Sequence, residues 1–488
     1  MQTEEKQVEA VDVIKKIIMK KILITIIVLC SFFGYSQTKD KTYKKRVLEN
    51  TEVDFLASYY SQDGNNAAVT GGIGTEELTD IASNLIISIP LNDDDVLTID
   101  ANISAYSSAS SSNLDPFDSN RGNDNNSTSL SGSPWVESSG ASKSDLWGSI
   151  NLSYSHSSED RNTILSGNLS FANEYDYTSF GVGGGLTKLF NEKNTEVSIS
   201  ANAYFDSWNP VFPIELRSYL EDNQNLNNGF FSDVDILNQD GNIADKNSSD
   251  IWSPTHTKLI EDESRNTYSV SLSFSQILNE KAQFSIFADI IQQDGWLANP
   301  MQRVYFSDRD NYYIGNASSI SNYTSKTNTN VFQLADDIER LPDTRFKIPI
   351  GARFNYYINE VLTLRTYYRY YYDDWGINSN TASVELPIKI SDKFTLYPSY
   401  RYYNQTAADY FAPYEKLVST DKYYTSDNDL SKFNSNQFGF GVSYTDIFTK
   451  RRIWKLGLKS VDLRYSYYKR NTGLKSGIIT TGLKFIMN

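Results

Sequence analysis

The chain has 488 residues, a formal net charge of −15 and 14% aromatic residues, with 34 tyrosines. Such an acidic chain has little basic surface to attract phosphates, so the composition argues against a nucleic-acid partner. The sole cysteine, Cys30, lies in an apolar N-terminal run, which leaves the rest of the chain without disulfides or thiolate metal sites.

The first element in chain order is a predicted secretory signal peptide, residues 1–36. Two lysines end at Lys21, an apolar run follows as far as Tyr35, and polar residues come next. The run is short for a membrane-spanning helix. Acidic residues before Met19 would weaken a signal peptide, so Met19 is predicted to be the true start of the protein.

The remainder is predicted to be a short periplasmic segment, 37–50, followed by a membrane barrel, 51–488. No run of 18 apolar residues occurs there, which excludes a helical membrane protein. Apolar and polar residues instead alternate over windows of about ten residues, as from Thr195 to Asp206. Alternation with a period of two predicts strands that have one apolar and one polar face.

The connections between the predicted strands differ in length. Short turns rich in Asn, Asp and Ser alternate with long polar segments at about 107–143, 209–264, 294–344 and 405–434. The pattern predicts an all-β, transmembrane, antiparallel up-and-down barrel of about 16 strands, with short periplasmic turns and long extracellular loops. The alternative, a secreted sandwich or solenoid, would not need so many ten-residue strands or rows of tyrosine at strand ends.

The C-terminal residues add an assembly signal. They match the pattern polar-x-Gly-x-x-apolar-x-apolar and resemble the signal through which the barrel-assembly machinery recognises a last strand. Any amphipathic strand that contains a glycine is the alternative interpretation. The matching residues are Thr480, Gly482, Phe485 and Met487.

Several segments resemble one outer-membrane barrel family that is catalogued only as a protein of unknown function. They span nearly all of the barrel region: TEVDFLASYYSQD (51–63), AAVTGGIGTEELTD (67–80), IPLNDDDVLTID (89–100), FQLADDIERLP (332–342), YYRYYYDDWGINS (367–379), KISDKFTLYPSYR (389–401) and FGFGVSYTDIFTK (438–450). The resemblance implies a barrel in the outer membrane. It brings no activity, substrate, cofactor or catalytic residue.

No catalytic site and no cofactor are predicted, because His156 and His256 are the only histidines and each is interpreted as a solvated residue. The glycines of VTGGIG (69–74) allow either an ordered loop folded into the barrel mouth or a flexible loop. Asp240 and Asp245 are weak candidates for Ca²⁺ in a segment otherwise interpreted as a solvated acidic loop.

Strand parity predicts that the lumen has one basic wall. Its cations are Lys347, Arg353, Arg365, Arg369, Lys389 and Arg401, and its acidic neighbours are Asp373 and Glu385. The early strands turn mostly Asn, Asp and Ser inward. These cations either attract anionic solutes or pair with acidic loops that fold inside as a plug.

Two functions follow from these alternatives. The first is a channel or porin for small solutes, with anions favoured by the basic wall. The second is a closed barrel that binds or anchors exported partners such as lipoproteins. Outer-membrane lipid and the assembly machinery are the other expected partners.

Overall fold

The computed structural model describes residues 46–107, 144–323, 330–446, 448–449 and 451–487. The predicted signal peptide and its cleavage point lie outside the described residues. Val47–Asn488 form one compact unit, and the barrel described below belongs to it.

Sixteen strands build the barrel, which confirms the predicted fold class and strand number. They are β1 (Thr51–Asp63), β2 (Leu78–Pro90), β3 (Asp95–Ser107), β4 (Ser144–Ser157), β5 (Thr163–Asn173), β6 (Tyr177–Phe190), β7 (Thr195–Trp208), β8 (Glu263–Asn279), β9 (Ala282–Gly295), β10 (Thr344–Tyr357), β11 (Thr363–Asp373), β12 (Asn378–Glu385 and Ile388–Lys389), β13 (Phe394–Leu396 and Ser399–Gln405), β14 (Phe433–Thr445), β15 (Leu456–Arg470) and β16 (Lys475–Met487).

The sheet closes on itself because β1 pairs antiparallel with both β2 and β16. Full closure leaves no edge strand with unpaired backbone groups, which is a condition for crossing lipid as β-structure. With an even number of strands, the first strand begins and the last strand ends at the same end of the barrel. We call this the turn end, and the opposite end, which carries the longest connections, the loop end.

The two faces of the wall differ as the alternation predicts. Large apolar side chains are exposed on the outer face, among them Ile81, Leu85, Ile103, Leu165, Leu186, Val197, Ile199, Leu272, Ile286, Ile350, Leu463 and Ile479. Polar and charged residues share the inner face through the strand register. An outward apolar band around a polar lumen is the pattern of a barrel whose outer surface meets hydrocarbon.

Some tyrosines on the outer face donate hydrogen bonds from their hydroxyls to neighbouring side chains. Tyr368 donates to the Asn380 side chain at 2.7 Å, and Tyr400 donates to the Asn436 side chain, also at 2.7 Å. A ring that is apolar on its face and hydrogen-bonded at its tip suits the boundary between lipid and water.

Two predicted strands are interrupted. The alternation of polar and apolar residues predicts continuous strands over 380–390 and 394–404. Pro387 and Pro398 break them, since proline has no N–H to give to the ladder. The sheet continues across the breaks, because Leu386 N donates to Pro398 O at 3.0 Å and Tyr397 N to Gly441 O at 2.8 Å.

Four long connections fold together at the loop end, and we call them the loop cap: loop A (64–77), loop B (209–262), loop C (296–343, with 324–329 outside the described residues) and loop D (406–432). They contain the helix α1 (Ile214–Glu221), the 3-10 turns Ala68–Thr70, Gly229–Phe231, Ala317–Asn322 and Asn428–Leu430, and the short strands Ile236–Asn238, Arg303–Val304, Tyr312–Gly315, Val331–Gln333 and Asp337–Ile338. A further short strand, Arg452–Ile453, lies at the turn end. Within the described part of the chain, no helix has the length and apolar character needed to cross a bilayer.

The loop cap has its own hydrophobic core. Leu216 and Ile236 of loop B are fully buried and pack with Trp252, Phe231 and Ile314. The interpretation of residues 209–264 as a solvated acidic loop is therefore wrong. The apolar residues are spaced irregularly among the acidic ones, so no periodic pattern reveals their burial.

Candidate functional site

The basic wall lies on strands β10 to β15, where the register brings the predicted cations to one side of the lumen. Arg353 and Arg401 are in one row of paired residues, through Tyr367 and Ser383. Arg369 lies in the adjacent row, toward the loop end. Because these strands are consecutive around the ring, their inward cations lie on the same side of the lumen.

Four of these cations have no carboxylate partner among the described residues: Lys347, Arg353, Arg369 and Arg401. Arg353 lies over the rings of Phe287 and Tyr367, at 5.2 and 5.8 Å from guanidinium carbon to ring centroid. These π contacts fix the side chain without neutralising its charge. The cation wall thus keeps an uncompensated positive field.

The fifth predicted cation, Arg365, does have a partner. Its Nη1 donates to Glu385 at 2.9 Å, and Arg464 of β15 donates to the other Glu385 oxygen at 2.8 Å. Tyr397 lies beside both guanidinium groups, 4.6 Å from that of Arg464. Sequence reasoning missed Arg464, although its alternation with outward Leu463 and Tyr465 would have placed it in the lumen.

The remaining two predicted wall residues lie at its ends. Lys389 pairs with Asp392 at 3.0 Å on the exposed turn-end rim, because Pro387 separates it from the main part of β12. Asp373 is fully buried at the loop end of β11. It forms an ion pair with Arg345 at 2.5 Å and accepts hydrogen bonds from the backbone N of Trp375 and Ile377. The charge of Asp373 is therefore balanced by neighbouring groups of the protein.

Strands β2 to β4 form an amide and carboxylate wall. Asn84 donates to both Asp100 and Asn102, and Asn102 donates to Asp100 at 3.1 Å. Ser104 donates to Asp80 at 2.6 Å in the next row. The lumen charges are therefore segregated, with cations on β10 to β15 and carboxylates hydrogen-bonded to amides and hydroxyls on β2 to β4.

The loop cap is joined at one fully buried ion pair. Arg303 of loop C donates from Nε and Nη2 to the two carboxylate oxygens of Glu215, at 2.7 and 3.0 Å, and from Nη1 to Val69 O at 2.8 Å. Gln302 donates to Ser426 of loop D at 3.0 Å. Two consecutive residues thereby connect all four loops.

The glycines of loop A hold that segment in place. Gly71 and Gly72 have φ values of +76° and +89°, which residues with a Cβ rarely adopt. A Cβ on Gly71 would lie 2.6 Å from the Tyr305 ring, and one on Gly72 would lie 2.4 Å from Ser426 O. Of the two alternatives for this segment, the structure shows the ordered loop.

The loop cap bridges the barrel mouth. Loop A connects β1 to β2 and loop C connects β9 to β10, which are about half a turn apart in a ring of sixteen strands. The bond from Arg303 to Val69 O therefore joins opposite sides of the mouth. The sequence could not indicate this contact, because it links residues 234 positions apart.

Several cap carboxyls are buried near one another, which raises their pKa values. Burial, with repulsion from Asp429, raises the pKa of Glu76 to about 7. Burial and repulsion from Asp427 raise the pKa of Glu339, and burial raises the pKa of Asp336 to about 6. The folded cap therefore holds a proton at each of these positions more tightly than a solvent-exposed carboxyl would.

The cap meets the basic wall through a different arginine from those predicted. Arg470 of β15 pairs with Asp429 of loop D at 2.7 Å, and its guanidinium lies 4.0 Å from the Phe433 ring centroid. Gln405 of β13 donates to the backbone oxygens of Asp429 and Ser431.

The other predicted sites are placed as follows. Asp240 and Asp245 interact with nearby Asn238 and Asn247, and the described residues contain no group of three or more acidic, histidine or cysteine side chains arranged to hold a metal. Thr480 and Gly482 face the lumen on β16, whereas Phe485 and Met487 lie on the opposite face of the strand, where Phe485 is buried and Met487 is exposed. His156 bonds Asp95 at the turn end, and His256 lies in the cap near Ser419 O.

Comparison with known proteins gives a family. The model of the family described as "Protein of unknown function (DUF3570)" matches residues 24–481. No curated protein matches the sequence. Similar solved structures include a bacterial polysaccharide outer membrane secretin (9% identity, TM-score 0.40, covering 90% of this chain and 99% of that one), a TodX monoaromatic hydrocarbon channel mutant (9%, 0.39, 91% and 91%) and a Pseudomonas aeruginosa FadL homologue (10%, 0.36, 90% and 90%).

Proposed function

Since the chain belongs to the family described as "Protein of unknown function (DUF3570)", we propose a function from the barrel itself. It is an outer-membrane channel that admits small anionic solutes through a lumen with one basic wall. We propose no catalytic role and no cofactor for this barrel.

The observation that carries the proposal is the absence of carboxylate partners for Lys347, Arg353, Arg369 and Arg401 within the described ranges. If these cations served to hold a plug, acidic loop residues would pair with them. Arg470 instead makes the wall's ion pair with the cap. Arg365, although paired with Glu385, keeps half of its side chain exposed, which indicates water in the lumen. Unpaired cations beside water attract anions.

The proposed location follows from the outer surface. The apolar outer band and the hydrogen-bonded tyrosines at its edge suit a bilayer, and the predicted signal peptide would export the chain to the periplasm. Lipid would cover the band, and the assembly machinery would recognise the pattern that ends at Met487. We propose the outer membrane on these grounds.

The second candidate is a closed barrel that anchors exported lipoproteins or other partners. The specific observation in its favour is the loop cap, which bridges the mouth through Arg303 and Glu215. A channel with this cap needs either a path between the loops or movement of the cap. The two candidates therefore differ in whether the folded barrel conducts.

Planar-bilayer recordings of the purified, folded barrel test the proposal. We expect conductance with a reversal potential that indicates anion preference. The preference should be strongest at low salt and should weaken at 1 M, where the Debye length falls to about 3 Å. A barrel that does not conduct, and that co-purifies with a lipoprotein in stoichiometric amounts, would support the closed barrel instead.

A further inference from the structure

A pocket lies between the basic wall and the cap segment Asn428–Leu430. Its volume is about 320 Å³. Wall side chains of β13, β14 and β15 line it, and Asp429 of loop D borders it. The pocket is thus at the point where a solute in the lumen would meet the cap.

One side of this pocket is a fixed frame. Arg470 is immobilised by its ion pair with Asp429, by stacking over Phe433, and by a bond from its Nε to Tyr468 Oη at 3.2 Å. Tyr403 lies against Phe433 at 5.5 Å between ring centroids, and its hydroxyl donates a hydrogen bond to the side-chain oxygen of Gln405 at 2.6 Å. The polar groups of Arg470 and Tyr403 are therefore already bonded to other residues of the protein.

Two other lining side chains have unused donors. Arg401 and Gln437 are direct partners in the β13–β14 register, on the same inward face. Across the described ranges, neither the Arg401 guanidinium nor the Gln437 amide makes a hydrogen bond or an ion pair. A planar guanidinium beside an amide donor matches the two oxygens of a carboxylate.

The surrounding rings define the rest of the ligand. Tyr403, Phe433 and Tyr468 supply aromatic surface within reach of Arg401, and the pocket has room for a single ring. We propose that this pocket binds a small organic carboxylate with an aromatic or similarly flat apolar body. Its carboxylate is held by Arg401 and Gln437, and its body lies against the tyrosines.

The inference deepens the proposed function and rests on it for the route by which the ligand enters. The ligand would be the class of anion that the channel handles, held beneath the cap. Binding itself can be measured without ion flow, so the two ideas can fail separately.

Titration calorimetry with the folded barrel in detergent tests the site, with phenylacetate as the probe. Acetate lacks the ring, and phenylacetamide lacks the charge. We expect saturable binding of phenylacetate and at least tenfold weaker binding of both comparison compounds. Equal affinity for acetate and phenylacetate would overturn the ring contact, and no saturable binding of phenylacetate would overturn the site.

Variants localise the binding. Arg401→Gln should weaken the binding of phenylacetate at least tenfold. Lys432→Gln, which removes an exposed cation of loop D that does not line this pocket, should leave the affinity unchanged. Heat-modifiable migration on gels shows that each variant is folded. An unchanged affinity in folded Arg401→Gln would refute the assignment, even if the barrel conducts anions. Binding without conductance would refute the channel and leave the pocket supported.

Discussion

Arg303 and Glu215 form a bidentate ion pair in which both side chains are completely shielded from solvent. Removing one member leaves a buried charge without its partner, which costs about 3–5 kcal/mol. Glu215→Ala should therefore loosen the loop cap while the barrel stays folded. Amide hydrogen exchange in loops B and C measures the change, and we expect much faster exchange there than in the strands.

The double variant Arg303→Met with Glu215→Leu is the matched control, since it removes both charges and keeps side-chain volume. It should protect the cap amides better than Glu215→Ala alone. Equal exchange in Glu215→Ala and the wild type would show that the pair does not hold the cap.

Gly71 gives an independent test of the cap. Gly71→Ala combines a left-handed backbone with a Cβ placed 2.6 Å from the Tyr305 ring, and backbone strain alone costs about 1–3 kcal/mol. We expect faster proteolysis of the cap loops. Gly477→Ala is the control, because a Cβ at that position would lie 3.7 Å from the Tyr465 ring, an ordinary contact. Similar proteolysis of both variants would contradict the ordered structure of loop A.

The raised pKa of Glu76 predicts how the stability of the loop cap depends on pH. Its pKa is raised from 4.5 to about 7, so the folded cap holds this proton more tightly than the unfolded loop does. The resulting stabilisation is complete below about pH 4.5 and is lost as pH rises to about 7. Glu76→Gln should remove this dependence and give a cap that opens less at pH 8.

Cap opening is measured by limited proteolysis between pH 5 and 8. Glu77→Gln changes an exposed neighbour and should behave like the wild type. If Glu76→Gln and the wild type show the same pH profile, the carboxyl of Glu76 does not titrate in this window.

Neighbouring residues on β7 test which face meets lipid. Ala201 is exposed on the outer face, and Asn202 faces the lumen, where it packs near Gly183. An arginine facing lipid at the bilayer midplane costs about 2–4 kcal/mol, whereas one in the lumen is solvated. Ala201→Arg should therefore give a much lower yield of folded barrel than Asn202→Arg, measured by heat-modifiable migration. Equal yields would mean that the faces are assigned the wrong way round.

Local sequence patterns are sufficient to predict the barrel. A period of two places Arg353, Arg365, Arg369 and Arg401 on one face of their strands, and the turn chemistry separates those strands correctly. The loop cap was not predictable, because its packing depends on contacts between distant segments, as between Arg303 and Val69. The sequence also could not show which wall cations have carboxylate partners. Strand parity predicts the face on which a side chain lies, but not whether a loop carboxylate reaches it.

The most direct test of an anion-selective lumen is the reversal potential of a variant that carries both Arg353→Gln and Arg369→Gln. Neither arginine has a carboxylate partner in the described structure, and neither lines the pocket around Arg401. Lys432→Gln, outside the lumen, is the control. We predict that the double variant loses anion preference at 0.1 M salt, with unchanged barrel stability, and that Lys432→Gln keeps it. A reversal potential that is the same in the double variant and the wild type would contradict the account.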